Sequence, residues 1–120
     1  MLAKIVWTIG FLVGTTTHAL DLIQYGWFPY EFRPLAWNIY WTSLTFLDPL
    51  AAGLIWVRKS WAIALGTLIM ATNIAVNSYT LLIGYEEFFF PLLAQSAFAA
   101  FVFLTAWRHL RIQTSVQSAK

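Results

Sequence analysis

Residues 35–83 read LAWNIYWTSLTFLDPLAAGLIWV, then RKS, then WAIALGTLIMATNIAVNSYTLLI. Each apolar run has the roughly 20 residues a helix needs to cross a bilayer, and only Arg58, Lys59 and Ser60 separate them. A connection that short makes the two helices antiparallel neighbours. The same pattern repeats on both sides, with Ile5–Gln24 before this hairpin and Phe88–Trp107 after it.

The polar breaks between the runs carry alternating charge. In order they hold Lys4, then Glu31 with Arg33, then Arg58 and Lys59, then Glu86 and Glu87, then Arg108 and Arg111. If every run crosses the membrane, Lys4, Arg58, Lys59, Arg108, Arg111 and Lys120 share one side and Arg33 alone lies opposite. An excess of Lys and Arg marks the cytoplasmic side, so both termini are expected there. A content of 60% hydrophobic and 10% charged residues, with mean hydropathy +0.68, excludes an ordinary soluble domain. The net charge of +2 is dispersed over helix ends, which argues against a nucleic-acid partner. Without cysteine there is no disulfide, thiolate metal site or Cys nucleophile. The first run has a single basic residue before it and no small-residue cleavage pattern, so it reads as a retained helix and not a signal peptide.

The expected fold class is therefore all-α: an integral membrane four-helix up-down bundle. Its helices fall at about 5–24, 35–57, 61–83 and 88–109 in one domain, 1–112, and the polar tail 113–120 lacks periodicity and is expected to be mobile. The connection from Tyr25 to Pro34 is the longest, and Gly26, Pro29 and Pro34 keep it from being continuous helix. Trp27, Phe28, Tyr30 and Phe32 place it on the membrane surface. Trp7, Trp56, Trp61 and Trp107 fall near the cytoplasmic interface, and Trp37, Trp41, Tyr40, Tyr79 and Tyr85 near the other, as aromatic belts require. None of Asn38, Asn73 and Asn77 is followed by a hydroxyl residue two places on, so there is no N-glycosylation sequon.

Polar groups inside the spans carry the functional reading. A charged group costs about 2.5–3.5 kcal/mol at the centre of a spanning helix on insertion scales, so an intramembrane acid marks function by default. Asp21 lies one turn after His18, on the same face of the first helix. Asp48 sits mid-way along the second and is followed by Pro49, which cannot donate to the Thr45 carbonyl and so favours a kink. On the third helix Asn73, Asn77 and Thr80 recur at helical spacing, with Gly66 and Met70 on the same stripe. The fourth offers Gln95 and Ser96, and Thr42, Ser43 and Thr45 add hydroxyls on the second. Together these predict a polar-floored cavity in the outer half of the bundle. The competing explanation is interhelical hydrogen bonding, worth roughly 0.6 kcal/mol per contact, which suits Asn73, Asn77, Gln95 and Ser96 singly but not two acids without an intramembrane Lys or Arg. Gly10 and Gly14 form a small-xxx-small step for close helix packing. His109 lies roughly 20 Å from His18 along the membrane normal at about 1.5 Å per residue, which excludes bis-His haem ligation within one chain. No cofactor is expected, and His18, Asp21 and Asp48 lack the spacing of a metal site.

The His and acid late in the first helix, together with Phe46-Leu47-Asp48-Pro49-Leu50 in the second, resemble the EXPERA superfamily. That group includes the emopamil-binding protein, a sterol isomerase, and the sigma-two receptor. The resemblance implies four helices with internal termini and an acid-lined intramembrane cavity for sterol-like or cationic amphiphilic ligands, with Asp48 and then Asp21 as the matching acids. The sequence departs from the pattern in the short His18 to Asp21 spacing and in Asn73 and Asn77 where an acid is expected. It is also similar to small bacterial membrane proteins that carry a like second-helix string.

The leading expectation is a binding protein for a lipid-like molecule, such as a sterol, hopanoid, isoprenoid or quinone. Asp21 and Asp48 hold its head, and His18, Asn73, Asn77 and Gln95 complete the hydrogen bonds. As an enzyme it would be an isomerase acting on a hydrophobic alkene, with His18 and Asp21 donating a proton and Asp48 stabilising a carbocation. The alternative is a non-catalytic accessory subunit of a larger membrane complex or a homo-oligomer. Ion transport ranks lowest, because polar groups largely stop on the cytoplasmic side. Absence of sequons leans toward a bacterial inner membrane.

Overall fold

Long runs of Leu, Ile, Ala, Phe and Val give helix up to the breaks at Gly26–Pro34, Arg58 and Gly84, and α2 continues through Pro49. A computed structural model describes residues 1–120 as α1 (Leu2–Tyr25), α2 (Leu35–Val57), α3 (Lys59–Leu82), a single 3-10 turn (Glu86–Phe88) and α4 (Phe89–Ser118), with no strand. The chain is all-helical, with the expected number of long helices. α2 has the expected bounds, and α1 and α3 differ from expectation by one to three residues at their ends. The end of the fourth helix is a correction: expected near 109, α4 continues through the polar tail to Ser118. Its residues include neither Gly nor Pro, so nothing stops the backbone ladder, and Thr114 and Ser115 donate to the carbonyls of Leu110 and Arg111.

By length and composition α1, α3 and the segment 86–118 can each cross a membrane. α2 has the length, and Asn38, Ser43, Asp48 and Pro49 lie among its leucines. Large apolar side chains cover the outward faces: Ile9, Val13, Leu20 and Ile23 on α1, Leu68 and Leu82 on α3, Leu93 and Leu104 on α4 are all exposed. Surfaces of that kind suit hydrocarbon, not water. The hydroxyls of α1 are satisfied within the helix itself. Thr8, Thr15, Thr16 and Thr17 each donate to the carbonyl four residues earlier, as a polar group in an apolar solvent requires.

Two compact units divide the chain, Met1–Ala62 and Ile63–Lys120. The first is built on the α1–α2 hairpin. Trp7 and Phe11 of α1 and Trp41, Leu44, Ala51, Ala52 and Ile55 of α2 are buried. The Trp7 indole N–H donates to the Ala51 carbonyl at 3.0 Å, and Trp56 donates to the Thr8 hydroxyl at 2.9 Å. The Lys4 ammonium lies 5.6 Å from the Trp56 ring centre, pairing a charge with an aromatic at the same end. These contacts fix an antiparallel register in which Gly14 meets Asp48. The connection at the other end turns at Gly26 (φ +84) and Phe28 (φ +54), and the Pro34 carbonyl accepts the first amides of α2, those of Trp37 and Asn38.

The second unit holds most of α3, the 3-10 turn and α4. Gly84 (φ +111) ends α3, where a residue with a Cβ would be strained. Pro91 falls in the first turn of α4, where its missing N–H would have no helical acceptor anyway. Ile69, Met70, Val76, Ala99, Val102 and Ala106 are buried.

Candidate functional site

The face of α1 that meets α2 carries Trp7, Phe11, Gly14, His18 and Asp21 at three- and four-residue steps, and its character changes from apolar to polar along the helix. At the polar end the loop residue Tyr30 enters between His18 and Asp21. Its hydroxyl lies 2.8 Å from His18 Nδ1 and donates to Asp21 Oδ2 at 2.7 Å. His18 and Asp21 thus come together as expected, but through a third residue. Tyr30 has one hydroxyl hydrogen, and Asp21 takes it. Its oxygen can then only accept from His18, so the imidazole hydrogen belongs on Nδ1 and Nε2 is left without a partner in the chain. The order is His18 N–H to Tyr30 O–H to Asp21 carboxylate. Burial first, then the hydrogen bond to Asp21 and that residue's charge, push the Tyr30 phenol above the usual tyrosine range.

Tyr30 is held from below by Asn38, in the first turn of α2. The Asn38 side-chain oxygen accepts the Tyr30 backbone N–H at 3.1 Å and its Nδ2 donates to the Phe28 carbonyl at 2.9 Å. The Thr42 hydroxyl donates to the same Asn38 oxygen at 3.4 Å. One buried amide therefore satisfies two backbone groups in a turn that contains a positive-φ phenylalanine. Rings complete the seat: Tyr30 meets Trp41 edge-on at 5.3 Å and Phe32 stacks on Trp41 at 5.9 Å. A recess of about 300 Å³ opens beside this network, lined by Asp21, Tyr25, Pro29, Tyr30 and Phe32.

Asp48 sits deeper, opposite Gly14. It is only 5% exposed, and neither a hydrogen bond nor a charge reaches its carboxylate. A Cβ at position 14 would lie 2.5 Å from its Oδ2, so the small residue is needed for the acid to fit. Gly14 follows the packing expectation, with a carboxylate in place of the second backbone.

In the second unit Asn73, Asn77 and Gln95 meet, as their spacing suggested. Asn77 Nδ2 donates to Asn73 Oδ1 at 2.9 Å and to Gln95 Oε1 at 2.7 Å. Ser96 instead donates to the Leu92 carbonyl and is exposed. Within the first unit hydrogen bonds join His18, Tyr30 and Asp21 and leave out Asp48; within the second they join Asn73, Asn77 and Gln95. Sequence reasoning missed Tyr30 and Asn38. Tyr30 belongs to a loop whose aromatics all suit an interface, and Asn38 carries its signal only in being an amide directly after the Pro34 turn.

No protein-family model, curated protein or solved structure matches the chain.

Proposed function

We propose that this chain is an integral membrane protein that binds a lipid-like molecule, its polar head at the outer end of the α1–α2 hairpin. The topology is the up-down four-helix one with both termini cytoplasmic, in a bacterial inner membrane. α2 serves as the fourth span because Asn38, Thr42 and Asp48 are buried, where hydrocarbon does not meet them. The resemblance of the Asp48-Pro49 string to the EXPERA superfamily points the same way.

The observation that carries this reading is the hydrogen-bonded chain His18–Tyr30–Asp21 at the wall of the recess lined by Tyr25, Pro29 and Phe32. A carboxylate set in an aromatic rim, next to the exposed Leu20 and Ile23 of α1, supplies a polar contact for a head and an apolar path for a tail. The isomerase version is less favoured. The Nδ1 hydrogen of His18 and the hydroxyl hydrogen of Tyr30 are both committed within the chain, so neither is free for an alkene.

Native mass spectrometry of the full chain in mild detergent tests the proposal. An amphiphile retained by the wild type and depleted about tenfold in Asp21→Asn is the expected result. Equal retention by both proteins rejects it, and a stoichiometric protein partner in place of lipid favours the accessory-subunit reading.

A further inference from the structure

Asp48 has no role in the outer network, and its surroundings are unusual for a buried acid. Within one turn of α2, the side-chain oxygens of two residues lack a partner and one backbone carbonyl lacks its helical amide. Asp48 as a residue is 5% exposed, and its carboxylate accepts no hydrogen bond. The Thr45 hydroxyl is fully buried and bonds nothing. The Thr45 carbonyl faces Pro49, which has no N–H to return. Residues three apart share a face, so these oxygens lie together on the side of α2 that carries Asp48 toward Gly14.

The threonine is telling. Thr8, Thr15, Thr80 and Thr105 each donate to the carbonyl four residues back, the ordinary way to satisfy a hydroxyl on an apolar helix. Thr45 does not, and neither does Thr67 of α3; Thr45 differs in lying one turn from an unpartnered acid. On the α1 side Gly14 offers no side chain that could donate. The cluster is therefore rich in acceptors, and no donor or cation bonds or pairs with its side-chain oxygens. Unpartnered buried oxygens are costly, and a buried carboxylate more so.

We propose that Asp48, with the hydroxyl and carbonyl oxygens of Thr45, binds a small monovalent metal cation inside the α1–α2 hairpin. An all-oxygen set of this kind is hard and suits an alkali or alkaline-earth ion, not a transition metal. One carboxylate balances one positive charge, whereas a divalent ion would leave net charge buried. A helix carbonyl freed from its amide beside an intramembrane acid is the arrangement by which interrupted membrane helices coordinate sodium. The site is distinct from the His18–Tyr30–Asp21 chain and does not depend on what the outer recess takes.

The test is thermal unfolding of the full chain in detergent, followed by tryptophan fluorescence, in sodium chloride against choline chloride at equal ionic strength. Sodium raises the wild-type midpoint in a saturable way, as a ligand of the folded state does. Thr45→Val, which keeps the shape and removes one oxygen, weakens the apparent sodium affinity about tenfold. Pro49→Ala, which returns an amide to the Thr45 carbonyl, weakens it in the same direction, and Asp48→Asn abolishes the response. Sodium NMR line broadening by the wild type, absent with Thr45→Val, reads the same binding without relying on the fold of the Asp48 variant. Identical wild-type curves in sodium and choline, or an undiminished sodium effect in Thr45→Val and Asp48→Asn, overturn the proposal.

Discussion

The two units handle buried polar groups in opposite ways. In the second, Asn77 uses both amide hydrogens on its neighbours Asn73 and Gln95. Amides carry donor and acceptor together, so they can bond one another directly, as Asn77 does here. In the first, the groups are acids, an imidazole and a phenol, and they do not close. His18 keeps an unused ring nitrogen, Asp21 lines a recess, and Asp48 has no partner. Equal polarity in the sequence thus separates into glue in one half and open chemistry in the other. Donor and acceptor count, more than depth in the membrane, tells them apart.

The open half is most vulnerable at Asn38. Its replacement by Ala leaves the Tyr30 N–H and the Phe28 carbonyl without partners and releases the loop that brings Tyr30 to α1. At about 1–1.5 kcal/mol for each lost bond, destabilisation of about 3 kcal/mol is expected in reversible denaturant unfolding. A loss below about 1 kcal/mol would show that the loop holds itself.

Tyr30→Phe follows, at about 2 kcal/mol, because it removes one charge-assisted and one neutral hydrogen bond while keeping the ring. The variant also carries a pH signature. The phenol is raised in the folded state, so folded and unfolded chains bind the same proton at neutral pH. Above the ordinary tyrosine value of about 10 the unfolded chain releases it and the folded chain does not, and stability falls by about 1.4 kcal/mol per pH unit. This alkaline loss should be absent in Tyr30→Phe, and tyrosinate absorbance of the folded proteins at high pH should be equal with and without Tyr30. A larger tyrosinate signal in the wild type would refute the buried hydrogen bond.

The helices were legible because their causes are local. Apolar length, the Pro34 and Gly84 boundaries and the Arg58 break all act within a few residues. The pairing of His18 with Asp21, and of Asn73 with Asn77, followed from helical spacing for the same reason. What spacing does not contain is a loop's path. Tyr30 reaches α1 only because Gly26 and Phe28 take positive φ and Asn38 grips the turn, a set of choices made in three dimensions. The end of α4 was misread for a related reason: loss of apolar periodicity removes a reason to bury a helix, not the helix itself.

Two glycines of the first unit carry the contrast to smaller scale. Gly14→Ala drives a methyl group to 2.5 Å from Asp48 Oδ2, so the buried carboxylate must leave its rotamer among packed neighbours, at a cost of about 1–2 kcal/mol. A methyl group added at Gly53, on α2, meets nothing within 4 Å, so Gly53→Ala is neutral or stabilising by up to about 1 kcal/mol through helix propensity alone. Opposite signs in matched thermal melts are the expected outcome. The same sign for both would mean that Asp48 swings away freely and that the register at Gly14 is not tight.

The smallest effect belongs to the closed cluster, and it decides whether closure is what separates the units. Asn77→Leu removes the donor that joins Asn73 to Gln95, and hydrogen bonds of this kind within membranes are worth about 0.6 kcal/mol each. The loss of two is about 1 kcal/mol, and leucine returns part of it by filling the same buried volume. Ligand retention and the sodium response should both be unchanged, because neither the outer recess nor the Asp48 oxygens lie in that unit. If Asn77→Leu instead strips a bound amphiphile while leaving the fold intact, the amides serve the ligand after all, and satisfied hydrogen bonding ceases to distinguish glue from site.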